Sequence, residues 1–147
     1  MNDKSRFIKK RRHARDKAMQ ALYQWQMTAD DSDGIRRQFL EENDMRHVDE
    51  DYFTELFQGA INNVETIDQQ LEQHMPRAIN SVDPVERSIL RIATYEFIKR
   101  HDVPYRVVLN EAVILTKKFC AERSHTFVNA VLDKVAKDTR TLETAST

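Results

Sequence analysis

Glycine and proline are scarce in this chain, with 2 Gly and 3 Pro in 147 residues, where average usage gives roughly ten and seven. A Walker A loop or a G-x-G-x-x-G turn needs clustered glycines. Gly34 and Gly59 stand alone, so a glycine-rich nucleotide loop is excluded. β-Sandwiches and small barrels need many Gly/Pro turns, and those are missing too. The single cysteine, Cys120, excludes an internal disulfide and a multi-cysteine zinc site, and it fits a reducing compartment. No apolar run approaches the ~20 residues that cross a bilayer, and the basic N-terminus leads into no apolar signal region. The expectation is a cytoplasmic protein with no membrane partner.

Charge is plentiful, at 32% of residues. With so few turn residues, that points to long helices and short connections in one domain. The net charge of −1 hides a strong asymmetry. Residues 1–29 hold 8 Lys/Arg against 2 Asp/Glu, residues 30–75 hold 3 against 13, and residues 76–147 hold 12 against 9. A basic end and an acidic middle suggest an anionic partner for one surface.

Helical spacing recurs along the chain. Ala14, Ala18, Leu22 and Trp25 form one stripe, which predicts a helix from about Ser5 to Met27. The stretch Asp30-Asp31-Ser32-Asp33-Gly34 reads as a loop, followed by a short helix from Ile35 to Asn43. Asp49 is a plausible N-cap for one long helix carrying Phe53, Leu56, Phe57, Ala60, Val64, Ile67 and Leu71 and ending near Met75 before Pro76. Residues 77–82 suit a single turn. Asp83-Pro84-Val85-Glu86 is a helix start with cap, first-position proline and capping-box glutamate. The helix it opens has a wide apolar face and should be central. Pro104 opens the next, with Val107, Val108, Ala112, Leu115 and Phe119 inside. Ser124 caps the last. From Asp138 the chain is polar and aperiodic, and fraying is expected.

Several groups are candidates for chemistry. Eight cations between Lys4 and Lys17 suit phosphate backbones, with Arg11, Arg12 and Arg15 fit for bidentate contacts and Tyr23 placed to stack a base. A solvated helix face is the alternative. His13, His47, His74, His101 and His125 show no metal-ligand spacing. Adjacent Ser124 and His125 diverge on a helix and make no nucleophile and base. Cys120 reads as a half-buried residue at a helix end, and Glu111 as a buried structural carboxylate rather than a catalyst. The acidic middle is either a solvated face or a dock for a basic protein.

Five stretches in order carry a family resemblance. Arg11-Arg12-His13-Ala14-Arg15 runs into Gln20-Ala21-Leu22-Tyr23-Gln24-Trp25-Gln26, and Val48-Asp49 precedes Tyr52-Phe53. Val85-Glu86-Arg87-Ser88-Ile89-Leu90-Arg91-Ile92-Ala93 comes with Tyr95-Glu96, and Asp102-Val103-Pro104-Tyr105 with Asn110-Glu111-Ala112. Ser124-His125-Thr126-Phe127-Val128-Asn129 comes with Val131-Leu132-Asp133-Lys134. Over roughly residues 9–136 the chain resembles the NusB family of bacterial transcription antitermination factors.

The resemblance implies an all-α fold, with six or seven helices in two small packed helical bundles and no sheet. It implies a single RNA-binding domain over residues 1–147, with a basic arm at 1–17 and a flexible tail at 138–147. No enzyme activity, catalytic residue, cofactor or metal is implied. The implied ligand is boxA RNA of ribosomal RNA leaders. It would be bound with NusE, a small-subunit ribosomal protein, in an antitermination complex on RNA polymerase. On matching positions Arg11, Arg12, Arg15, Tyr23, Arg91, Ser124, His125 and Phe127 would face RNA and Glu86 a protein partner. Three positions depart from the pattern: His13 interrupts the arginine run, Arg123 stands where relatives often carry an acid, and Ala130 replaces a common Gly. A protein-only scaffold and an rRNA-recognition domain related to those fused to rRNA methyltransferases are the alternatives. Whether a homodimer hides the basic surface stays open.

Overall fold

The computed structural model describes residues 2–145. Among them the chain is all-helical, with no strand, and it divides into two compact units, Met1–Asn62 and Asn63–Thr147. Met1 of the expected basic arm, and Ser146 and Thr147 of the expected tail, lie outside the described residues.

The first unit holds α1 (Asp3–Thr28), α2 (Ser32–Glu42) and α3 (Glu50–Asn62). α1 starts where the Asn2 side chain accepts the Ser5 N–H at 2.8 Å. Its stripe of Ala14, Ala18 and Leu22 is fully buried, with Ala21 beside it. These small side chains let α3 approach with large ones: Tyr52, Phe53, Leu56 and Phe57 are all at most 1% exposed. Phe53 stacks on Phe39 of α2 and on Phe57, with centroids 6.0 and 6.3 Å apart. The stretch read as a loop before α2 is helical from Ser32, because Asp31 accepts the Gly34 N–H at 3.2 Å and caps it early. Asp49 caps α3 as expected, accepting the Tyr52 N–H at 3.0 Å.

α1 ends on Ala29, whose φ of 58° is the one positive value at a non-glycine residue among those described. Its N–H closes the helix on the Trp25 carbonyl at 3.1 Å. A Cβ in the left-handed region costs about 1 kcal/mol, and glycine removes that cost. Ala29→Gly is therefore expected to raise stability by about 1 kcal/mol, read as a higher denaturant midpoint at unchanged slope.

The long helix expected from Asp49 to Met75 is two helices. α3 stops at Asn62 and α4 spans Val64–Glu72, with Asn63 between them at φ −116°, ψ 19°. Two consecutive asparagines offer side-chain amides that compete with helical backbone bonds. The apolar spacing continues across the break because each half packs in its own unit.

The second unit centres on α5 (Pro84–Lys99), in which every residue from Ser88 to Phe97 is buried. The Asp83 carboxylate caps it, accepting the Val85 and Glu86 N–H groups at 3.0 and 3.2 Å, with Pro84 at the first turn as expected. A 3-10 turn at Ile79–Ser81 fills the segment before it. α4, α6 (Tyr105–Phe119) and α7 (Ser124–Thr139) pack on α5. On α6, Val108, Ala112 and Leu115 are buried, but Val107 and Phe119 are exposed, so its apolar stripe is narrower than expected. Pro104 sits at the cap position rather than inside α6, and the Tyr105 N–H is taken by the Glu143 carboxylate at 3.0 Å. Ser124 is the first residue of α7 rather than its cap. Arg123 holds the cap position without a side-chain bond.

The C-terminus also differs from the fraying expected after Asp138. α7 continues to Thr139 and α8 covers Thr141–Ala145. Between them Arg140 is only 3% exposed, and its guanidinium donates to the carbonyls of Glu96, Phe97, Arg100 and Val103. A single buried arginine without apolar periodicity around it is invisible to a hydrophobic-pattern reading.

Candidate nucleic-acid interface

α1 carries its cations on two faces. Lys4, Arg6, Lys9, Lys10 and Arg12 are exposed. Arg11 and Arg15 lie one turn apart and turn inward against α3. The Arg11 guanidinium sits 3.8 Å over the Tyr52 ring and 4.6 Å over Phe7, and its Nε donates to Asp49 at 3.0 Å. Arg15 is 5% exposed, 5.6 Å from the Tyr52 ring. The three arginines expected at phosphate thus divide. Arg12 faces solvent, Arg15 is buried and Arg11 is partly withdrawn, because a four-residue spacing repeats one helix face. Asp49 acts twice here, since one oxygen caps α3 and the other fixes Arg11. Tyr23 is 38% exposed further along α1, open to a stacking partner.

The first unit also contains basic residues that the sequence reading did not single out for nucleic-acid contact. Arg46 and His47, in the connector before α3, join Arg6, Lys9, Lys10 and His13 of α1 in lining a cleft of about 490 Å³. The connector's acidic surroundings masked them in a charge count. The signal available was the adjacent pair itself, a cation and a titratable ring amid acids.

In the second unit Glu86 and Ser124 come together, and Arg77 interacts with both Glu86 and Phe127. The Ser124 hydroxyl lies beside the Glu86 carboxylate and favours its charged form. Burial and the neighbouring Asp83 charge push Glu86 above the ordinary glutamate range, while Ser124 and Arg77 pull it back. Arg77 sits 5.3 Å over the Phe127 ring, a contact without sequence signal beyond the cation following Pro76. The His125 ring nitrogen Nδ1 lies 2.7 Å from the Glu122 carbonyl, and Arg123 is exposed beside it. Burial, with Glu86 and Asp83 nearby, raises the Cys120 thiol to about 11, so it is protonated at neutral pH and no nucleophile.

Arg91, expected on the RNA side, is instead buried in α5. Its Nε and Nη2 grip both oxygens of Asp68 on α4 at 2.9 and 2.8 Å. The α5 register turns position 91 into the bundle, where a planar fork needs a carboxylate. Glu111 is buried in α6. His74 pairs with Asp138 at 2.5 Å, and the His101 ring contacts the Ile98 carbonyl at 2.9 Å. Among the described residues no three His, Cys, Asp or Glu side chains cluster as a metal site would need, and no helix is long and apolar enough to cross a membrane.

Comparison with known proteins places these features in context. The model of the NusB family matches residues 12–137. The chain is 50% identical over 124 residues to the transcription antitermination protein NusB of Idiomarina loihiensis, covering 84% of this chain and 89% of that protein. It is 46% identical over 130 residues to the same-named protein of Pseudoalteromonas atlantica, covering 88% and 93%. Among solved structures, NusB of T. maritima superposes with a TM-score of 0.78 at 30% identity, covering 87% of this chain and 91% of that one. A crystal structure of antitermination factors NusB and NusE in complex with double-stranded RNA gives 0.77 at 30% identity, covering 87% and 96%.

Proposed function

The chain belongs to the NusB family, and from that premise we propose that it is a cytoplasmic transcription antitermination factor binding boxA-type single-stranded leader RNA of ribosomal operons together with NusE. In this reading it joins an antitermination complex on RNA polymerase, promotes processive rRNA synthesis and catalyses nothing. The observation that carries it is the exposed cationic face of α1, Lys4 to Arg12, in a chain 50% identical to a named antitermination protein. The structural neighbour that holds NusE and RNA supports the same two partners.

The roles of residues follow their exposure. Arg12 meets phosphate and Tyr23 stacks a base, while Arg11 and Arg15 position α1 against Tyr52. His125 and Phe127 form a second RNA contact, with Arg123 adding a cation and Ser124 setting the start of α7. Glu86, whose charge burial disfavours, faces a basic protein partner that relieves that cost.

A gel-shift titration with boxA-type RNA, with and without NusE, tests this. Binding is expected to weaken with salt, to prefer the single strand over the duplex, and to tighten with NusE because linked sites couple reciprocally. No shift at low salt under either condition sinks the reading. Arg12→Ala is expected to weaken RNA binding several-fold, flatten the salt slope by about 0.7 and leave the unfolding midpoint unchanged. Arg15→Ala should lower that midpoint, as befits a buried side chain.

A further inference from the structure

We propose that the cleft between α1 and the α2–α3 connector is a phosphate site that holds one phosphodiester of the bound RNA strand. It rests on the RNA reading above and extends it to residues outside the arginine run. Six side chains line the cleft: Arg6, Lys9, Lys10 and His13 from α1, Arg46 and His47 from the connector. All are cations or imidazoles that supply N–H donors, and none is a carboxylate. A lining of N–H donors with no carboxylate suits a phosphate.

Two of the cations are already held by acids. Asp3 lies 3.3 Å from Arg6, and both oxygens of Asp44 accept from Arg46 at 2.9 and 2.8 Å. Lys9, Lys10 and His13 have no such carboxylate among the described residues, so the cleft keeps a net positive charge. The Asp44 pair uses Nε and Nη2 and leaves Nη1 and further N–H donors of the guanidinium for a ligand. It also fixes a side chain that is 80% exposed, which reduces the ordering cost of binding. The connector is tied to α1 at the same place, where the Asp49 N–H donates to the Lys10 carbonyl at 3.2 Å. The site is therefore built before ligand arrives, and it reads charge without reading sequence.

The test titrates a labelled single-stranded boxA-type RNA against the full chain at several salt concentrations. Asp44→Ala/Arg46→Ala removes the pair without changing net charge, so a loss of binding reports a contact rather than a long-range field. That variant and His47→Ala are each expected to weaken binding several-fold for boxA and unrelated strands alike, with salt slopes flattened by about 0.7 per lost phosphate contact. Arg37→Ala, on an exposed arginine of α2 outside the cleft, should change neither, and unfolding midpoints should match throughout. Wild-type binding by Asp44→Ala/Arg46→Ala, alongside weakened Arg12→Ala, overturns the cleft and spares the RNA reading. An equal loss in Arg37→Ala also overturns it, as does a shift of the His13 and His47 ring signals by millimolar inorganic phosphate when the cleft variants bind RNA normally. Absence of RNA binding by the wild-type chain overturns both proposals.

Discussion

Replacing Arg140 by alanine is expected to cost about 3–4 kcal/mol of stability, the range for stripping one partner from a buried charged network. The guanidinium sits where α5 ends, among carbonyls that the helix leaves unbonded or bonded only once. It donates to the carbonyls of Phe97, Glu96 and Arg100 at 2.8, 3.1 and 2.8 Å and to that of Val103 at 2.9 Å. Alanine takes a donor from all four, and while the Glu96 and Arg100 carbonyls keep the N–H groups of Arg100 and Val103, those of Phe97 and Val103 are left facing a void. At about 2–4 °C per kcal/mol for a chain of this size, the midpoint should fall by roughly 10 °C. Arg140→Lys should recover only part, because one ammonium has three donors and no planar fork. A midpoint within about 2 °C of wild type for Arg140→Ala would show that the C-terminal segment is not held by this residue.

The same network carries a pH signature. Glu143 accepts the Tyr105 N–H and pairs with Arg140 at 2.5 Å; the Tyr105 bond first, and then Arg140, hold its carboxyl below the ordinary value of 4.5. A depressed folded value favours the native state fully above the unfolded value and loses that benefit as pH falls through the folded one. The cost of Glu143→Gln should therefore be visible at pH 7 and shrink at pH 3. A cost that stays constant between those pH values would separate the effect from the carboxylate charge.

How far the sequence revealed this arrangement depended on the physics each element used. Regular apolar spacing and cap residues are local signals, so α1, the Asp49 cap and the Asp83-Pro84 start of α5 were legible. The break at Asn63 was not, because the apolar period runs through it while the two halves pack in different units. In the candidate site, composition located the basic helix but not which cations it exposes. Arg11, Arg12 and Arg15 are alike in a charge count, and only the docking of α3 through Tyr52 and Asp49 separates them. Glu86 and Ser124 are 38 positions apart in sequence, and only tertiary packing sets one beside the other.

Arg91 gives the second large effect. Alanine at this position is expected to destabilise by about 3–5 kcal/mol, as for one-sided removal of a buried ion pair, since Asp68 then stays half-buried without its fork. Asp68→Ala should cost a similar amount, because it takes the carboxylate from the more deeply buried charge. Replacing both by apolar residues of like volume should restore most of the loss, because the pair's mutual attraction largely offsets its desolvation. The RNA readout decides between the two roles open to Arg91. If its guanidinium only ties α5 to α4, the double apolar variant, once folded, binds RNA with wild-type affinity and an unchanged salt slope. A slope flattened by about 0.7 in that variant would mean that Arg91 leaves Asp68 to meet a phosphate. The bidentate geometry and 7% side-chain exposure favour the first outcome, which would confine the second unit's RNA contacts to the start of α7.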